Sequence, residues 1–277
     1  MAAKNVLVTG AAGSIGSYFV QNAAHQYRLR LMVHSRDDLR RLKKYGEALI
    51  ADLERPDQIL DACREIDTVL HLAGEPDASA TWEELLPANI VGTYNLFAAA
   101  KAAGCRRVVY ASSIHAVSGY PRDVQVKTDD PVNPGDLYGV TKCFGEALGR
   151  YMAEKENLSV IAVRIGAFLP LSAAGNPGDL SNLDAFASRR DLQKLLELCI
   201  EDDAIRFAIV HGISDNAFKR LDLSATRQLL GYEPQDDFAR INPLFKGINF
   251  DQIRTHSDRT DRGTSGLRRD LPPDQEW

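Results

Sequence analysis

"VTGAAGSIGSYF", Val8 to Phe19, carries glycines at Gly10, Gly13 and Gly16. The stretch leading into it, "NVLVTG", is apolar and rich in β-branched residues and reads as a strand. The stretch leading out, "IGSYFVQNAAHQY", has helical periodicity. A strand, a glycine turn and a helix together bring backbone N–H groups and a helix N-terminus close to a pyrophosphate. Ser14 and Ile15 share that turn. A glycine turn serving only packing is the alternative, but both the spacing and the position fit a bound dinucleotide.

Outward from this point, short strand-like runs alternate with helical ones. The runs "LRLMVHS", "EALIAD", "DTVLHLAG", "RRVVYASS" and "LSVIAVRIG" are separated by patterns such as "DDLRRLKKYG" and "PDQILDACREI". This alternation predicts an α/β fold, a doubly wound parallel sheet of Rossmann type. Strands apolar almost throughout suit a sheet covered on both faces. Residues 1–169 are expected to form the dinucleotide-binding domain, 170–250 a small substrate-binding lobe, and 251–277 a charged tail.

The bulk numbers narrow the function. The chain has 277 residues, 44% hydrophobic and 26% charged, with a net charge of −5. An acidic balance gives no general attraction to nucleic acid or to an anionic membrane surface. No apolar run reaches membrane-spanning length, and a strand beginning near Lys4 leaves no room for a signal peptide. Cys63, Cys105, Cys143 and Cys199 show no metal or redox spacing, so a cytoplasmic protein without a metal is expected.

"DLYGVTKCFGEALGRY", Asp136 to Tyr151, follows a loop rich in proline and glycine and places Tyr138 four residues before Lys142. Residues so spaced share a helix face. A tyrosine has a pKa near 10, and bringing it to neutrality needs roughly 4 kcal/mol of differential stabilisation. A nearby ammonium and the positive ring of an oxidised nicotinamide are expected to supply this, making Tyr138 a general base. In "YASSIHAVSGY", Ser113 is placed to orient the reacting oxygen, and His115 faces the same side if the strand continues.

Choice between NAD and NADP is read near the end of the second strand, where "MVHSRDD" gives His34, Ser35 and Arg36. No carboxylate occupies the strand tip, and Arg36 can pair with a 2′-phosphate, so the sequence leans to NADP over NAD. Asp37 and Asp38 suit the start of the next helix.

The order of these motifs resembles an extended short-chain dehydrogenase/reductase of the NAD-dependent epimerase/dehydratase group, over roughly residues 4–250. The G-x-x-G-x-x-G spacing belongs to that resemblance. So do Asp52 and Leu53 in "ADLERP", which flank the adenine in the family. Leu72, Ala73 and Gly74 in "HLAGEP" match its turn beneath the cofactor, and Ile165 in "VRIGAFLP" lies beside the nicotinamide carboxamide. Within the group, "YASSIHAVSGYP" with "DLYGVTKCFGE" looks nearest to uronate dehydrogenases. This implies catalytic Ser113, Tyr138 and Lys142, substrate contacts from Ser113, His115, Tyr138 and Phe250, and a homodimer built on two helices.

Two departures stand out. Ile114 replaces the asparagine of the uronate enzymes, and no arginine appears in "GNPGDLSNLDAF" to hold a substrate carboxylate. The expected function is therefore an NAD(P)-dependent sugar dehydrogenase that oxidises the anomeric hydroxyl of an aldose, uronate or related small sugar to a lactone. A nucleotide-sugar 4-epimerase with tightly held NAD and a non-catalytic NADP-sensing regulator remain alternatives.

Overall fold

The protein is described by a computed structural model over residues 3–248. Seven strands form one all-parallel sheet in the order β3-β2-β1-β4-β5-β6-β9. They are β1 (Asn5–Thr9), β2 (Arg28–Val33), β3 (Glu47–Ile50), β4 (Thr68–His71), β5 (Arg107–Ser113), β6 (Ser159–Ile165) and β9 (Phe207–Gly212). A separate pair, β7 (Ala167–Leu169) and β8 (Phe186–Ser188), is also parallel.

Successive strand residues point to opposite faces, and the two cores follow that period. Val6, Val8 and Val109 join one cluster, while Leu7, Val108 and Tyr110 join the other. The first face is covered by α1 (Ser14–Ala23), α2 (Arg36–Leu42) and α8 (Arg189–Glu201). The second is covered by α3 (Pro56–Cys63), α5 (Thr93–Ala102) and α6 (Leu137–Lys155). Burial on both faces explains why these strands read as continuous apolar runs rather than alternating ones.

α4 (Trp82–Leu85) runs through a π-helical turn, Leu86–Gly92, into α5, where the sequence pattern suggests one even helix. Pro87 lies in the wider turn; its ring and missing N–H disfavour the regular ladder there. Asp136 caps α6, its carboxylate accepting from Gly139 N at 2.7 Å. Beyond β7 come α7 (Leu171–Ala174), α9 (Ser224–Leu230) and α10 (Phe238–Ile241).

Residues up to Leu244 form one compact unit. The break expected at residue 169 is not a boundary of contacts, because β9 completes the main sheet beside β6. The tail from 251 lies outside the described residues. Among those described, no helix is long and apolar enough to cross a membrane.

The chain winds one way from β1 to β3 and the other way from β4 onward, which opens a crevice at the carboxyl ends of β1 and β4. Both halves of the site lie there.

Candidate active site

The glycine turn has the shape its sequence demands. Gly10 adopts φ +64°, and a side-chain carbon added there would lie 2.8 Å from Ala73 N. One added at Gly16 would lie 2.2 Å from the Gly10 carbonyl oxygen. Only bare backbone allows the turn to press against both α1 and the end of β4. Thr9 fixes the other wall: its hydroxyl accepts from Leu72 N and Ala73 N, each at 3.2 Å. The hydroxyl proton is therefore directed to His71 Nδ1 at 2.8 Å. Burial, with a smaller contribution from Lys142, holds His71 down to about 3, so it stays neutral.

Between these walls lies a cavity of about 320 Å³. Gly10, Gly13, Ser14, Ile15 and Gly16 line one side. His34, Asp38, Leu72, Ala73, Gly74 and Pro76 are among the residues that line the rest. An open α1 N-terminus facing such a space is a pyrophosphate cradle, and the residues present fit a dinucleotide.

At the far end the structure departs from the sequence reading. Ser35 caps α2, accepting from Asp38 N at 3.1 Å and donating to the Asp38 carboxylate at 2.7 Å. Arg41 holds the other carboxylate oxygen at 2.9 Å. Asp38 thus lines the cavity, whereas Arg36 is exposed outside it and Ser35 serves the cap. Asp52 is exposed and accepts from Glu54 N, and Leu53 is buried in the core under Gly92. Neither is among the residues lining either cavity.

A second cavity of about 150 Å³ shares Ile15, Leu72, Gly74 and Pro76 with the first, so the two adjoin. Ser113, Tyr138, Lys142 and Ile165 line it, with Glu75, Ala111, Ser112 and Gly166. Lys142 is buried; its ammonium donates to the Ala111 carbonyl at 3.0 Å and lies 5.3 Å from the Tyr138 ring centroid. Burial brings Lys142 down to about 8. Burial pushes the Tyr138 phenol above its ordinary value; Ser113 pulls it back by hydrogen bonding, while Asp136 and Glu75 push the same way as burial. The lysine alone does not make the phenol acidic. Lys142 is the one cation among the residues lining this cavity.

His115 does not follow the period of β5. The strand ends at Ser113 and a 3₁₀ turn, Ile114–Val117, begins with His115 N donating to Ser113 Oγ at 3.2 Å. The ring instead sits edge-on to Tyr138, centroids 5.4 Å apart, with Nδ1 2.6 Å from the Asp136 carboxylate. His115 is beside Tyr138 and not among the second cavity's lining residues. Phe250 lies outside the described residues.

The platform below is ionic. Arg164, on β6, donates to both carboxylate oxygens of Glu146, each at 2.9 Å, and Ser112 adds a third bond at 2.6 Å. Glu146 is one turn beyond Lys142 on α6, so this buried pair anchors α6 to the sheet.

The profile of the NAD dependent epimerase/dehydratase family matches residues 6–189. The chain belongs to that family. An NAD-dependent glucose-6-phosphate dehydrogenase of Haloferax volcanii is 34% identical, over 89% of this chain and 98% of the relative. An L-arabinose 1-dehydrogenase (NAD(P)(+)) of the same organism is 31% identical, over 85% of this chain and 98% of that one. Among solved structures, a uronate dehydrogenase variant from Agrobacterium tumefaciens complexed with NAD superposes with a TM-score of 0.76. It is 31% identical, covering 86% of this chain and 87% of that one.

Asp38 and Glu75 are the site residues the sequence reading missed. By sequence Asp38 reads as a helix-starting acid. Glu75 directly follows the Leu72-Ala73-Gly74 turn, and that adjacency was the available signal.

Proposed function

We propose that this family member is an NAD-dependent sugar dehydrogenase oxidising the anomeric hydroxyl of a small sugar to its lactone. The observation that carries this is the meeting of Ser113, Tyr138 and Lys142 in a cavity adjoining the glycine-lined one. The relatives named as dehydrogenases of glucose 6-phosphate, arabinose and uronate support it.

In the proposed reaction Ser113 orients the C1 hydroxyl and Tyr138 takes its proton. The C1–H bond breaks as the C1–O bond becomes double. When bound, NAD supplies the hydride acceptor and a positive charge near the phenol. Lys142 adds its ammonium one helical turn away, where deprotonated Tyr138 needs it.

NAD, rather than NADP, is the proposed partner for this chain. A carboxylate at Asp38 accepts from a ribose 2′-hydroxyl and repels a 2′-phosphate, and Arg36 stands outside the cavity. The relatives named for NAD support that choice. A cytoplasmic homodimer is proposed as well: Val91, Tyr94, Val140 and Tyr151 expose apolar surface on the α5 and α6 side.

The test is Tyr138→Phe. It is expected to lower kcat by about 10³-fold while NAD still raises the melting temperature, since general-base contributions run to about 10²–10⁴. Reduction of NAD at an undiminished rate in this variant would remove Tyr138 from the proposal.

A further inference from the structure

An anionic sugar needs a cation in its pocket, and the described residues offer little. Lys142 is the one cation among the lining residues of the second cavity, and its ammonium is bonded to Ala111 O. Arg164 is closed on Glu146, and Arg190 is closed on Asp236 through two bonds. Arg189 lies 5.9 Å from the ring centroids of both Tyr18 and Phe168 and is not among the residues lining either cavity.

The same wall instead carries an acid. Glu75 lines the cavity with Ser113 and Tyr138. Its backbone is held from both sides by Asn89, which is 2% exposed. Asn89 Oδ1 accepts from Glu75 N at 2.8 Å, and Asn89 Nδ2 donates to Glu75 O at 3.0 Å. That amide nitrogen also donates to Thr141 Oγ1 at 3.2 Å, one residue before Lys142 on α6. One Glu75 carboxylate oxygen accepts from Asp77 N at 3.0 Å, and the other has no hydrogen-bond partner among the described residues. A buried amide thus ties the acid in register with the catalytic helix and leaves an acceptor free.

We infer that Glu75 selects the substrate: its free carboxylate oxygen accepts from hydroxyls of a neutral sugar and turns away sugars bearing a carboxylate or a phosphate. The inference rests on the sugar dehydrogenase reading and narrows it to neutral aldoses. A carboxylate bound by two hydroxyls is a strong acceptor, while a second anion brought against it is repelled.

The experiment measures kcat/KM with NAD for glucose, galactose, xylose and arabinose against glucuronate, galacturonate and glucose 6-phosphate. The same set is run on Glu75→Gln, which keeps an acceptor for Asp77 N and changes only the charge. Wild type is expected to favour the neutral sugars by about 100-fold or more. In Glu75→Gln the KM for neutral sugars is expected to rise about tenfold, and the gap to the anionic sugars to narrow by at least tenfold. Equal or better turnover of an anionic sugar by wild type overturns the inference, as does an unchanged ratio in the variant. If no sugar reduces NAD, the dehydrogenase reading fails on its own account. Melting shifts with NADH then judge Glu75: shifts by neutral sugars that vanish in Glu75→Gln sustain its contact with sugar, and their absence in wild type overturns it.

Discussion

Arg164→Met tests what holds α6, which carries Tyr138 and Lys142, to the sheet. Arg164 and Glu146 are 1% and 3% exposed, joined by two bonds of 2.9 Å. Removing the guanidinium leaves a buried carboxylate with the Ser112 hydroxyl as its remaining donor from this trio. Breaking such a pair from one side costs about 3–5 kcal/mol. A melting entropy of about 2.1 cal/mol/K per residue gives about 0.6 kcal/mol/K for 277 residues. A loss of about 4 kcal/mol therefore lowers Tm by about 7 °C. The pair is imperfect, because Arg164 Nη1 is buried without a hydrogen-bond partner. Replacing both residues, Arg164→Met with Glu146→Leu, is thus expected to recover most of the loss. Urea and thermal unfolding at pH 7.5 give the three stabilities, and kcat of the folded variants reports whether Lys142 has lost its position. A cost under about 1 kcal/mol for Arg164→Met, or a double variant no more stable than the single one, would refute the anchoring argument.

Two further outcomes are expected. His71 and His211 are held down to about 3 and about 4, in each case chiefly by burial. The unfolded chain protonates both below about pH 6.5 while the fold keeps them neutral, so stability falls as pH drops from 6.5 towards 4. At pH 5 the loss is about 2 kcal/mol for each, from 1.5 pH units at 1.36 kcal/mol. A urea midpoint that does not move between pH 7.5 and 5 would count against that burial. Asp38→Asn is expected to raise the KM for NAD about tenfold and to improve use of NADP; unchanged cofactor preference in steady-state kinetics would show that Asp38 does not face the ribose.

The sheet and its cofactor turn were legible because they rest on local rules. Gly10, Gly13 and Gly16 stand where strand gives way to helix, and Tyr138 and Lys142 are one turn apart whatever else the chain does. What escaped depended on distance in sequence. Arg36 looked correctly placed for a phosphate, yet the Ser35 cap turns α2 so that Asp38, two residues on, meets the cavity. His115 was expected to follow strand period, but β5 stops at Ser113. The acidity of Tyr138 is expected from its lysine together with a bound nicotinamide ring; the burial that opposes it, and the two acids Asp136 and Glu75 that push the same way, come from parts of the chain the helix spacing does not show. β9 was grouped with the small lobe because its neighbour β6 precedes it by some forty residues, across loops that carry no pairing signal.

The reversal of winding between β1 and β4 divides labour along the chain. The glycine turn and the acid on α2 that line the first cavity are encoded before residue 39, the residues from Leu72 to Pro76 form a wall common to both cavities, and the rest of the second cavity comes from Glu75 onward, with Ile15 reaching across from the first segment. A lineage can therefore exchange one sugar for another by altering the later segment while inheriting its redox partner intact. Relatives bearing the names of different sugars within one family are what such an arrangement would leave behind.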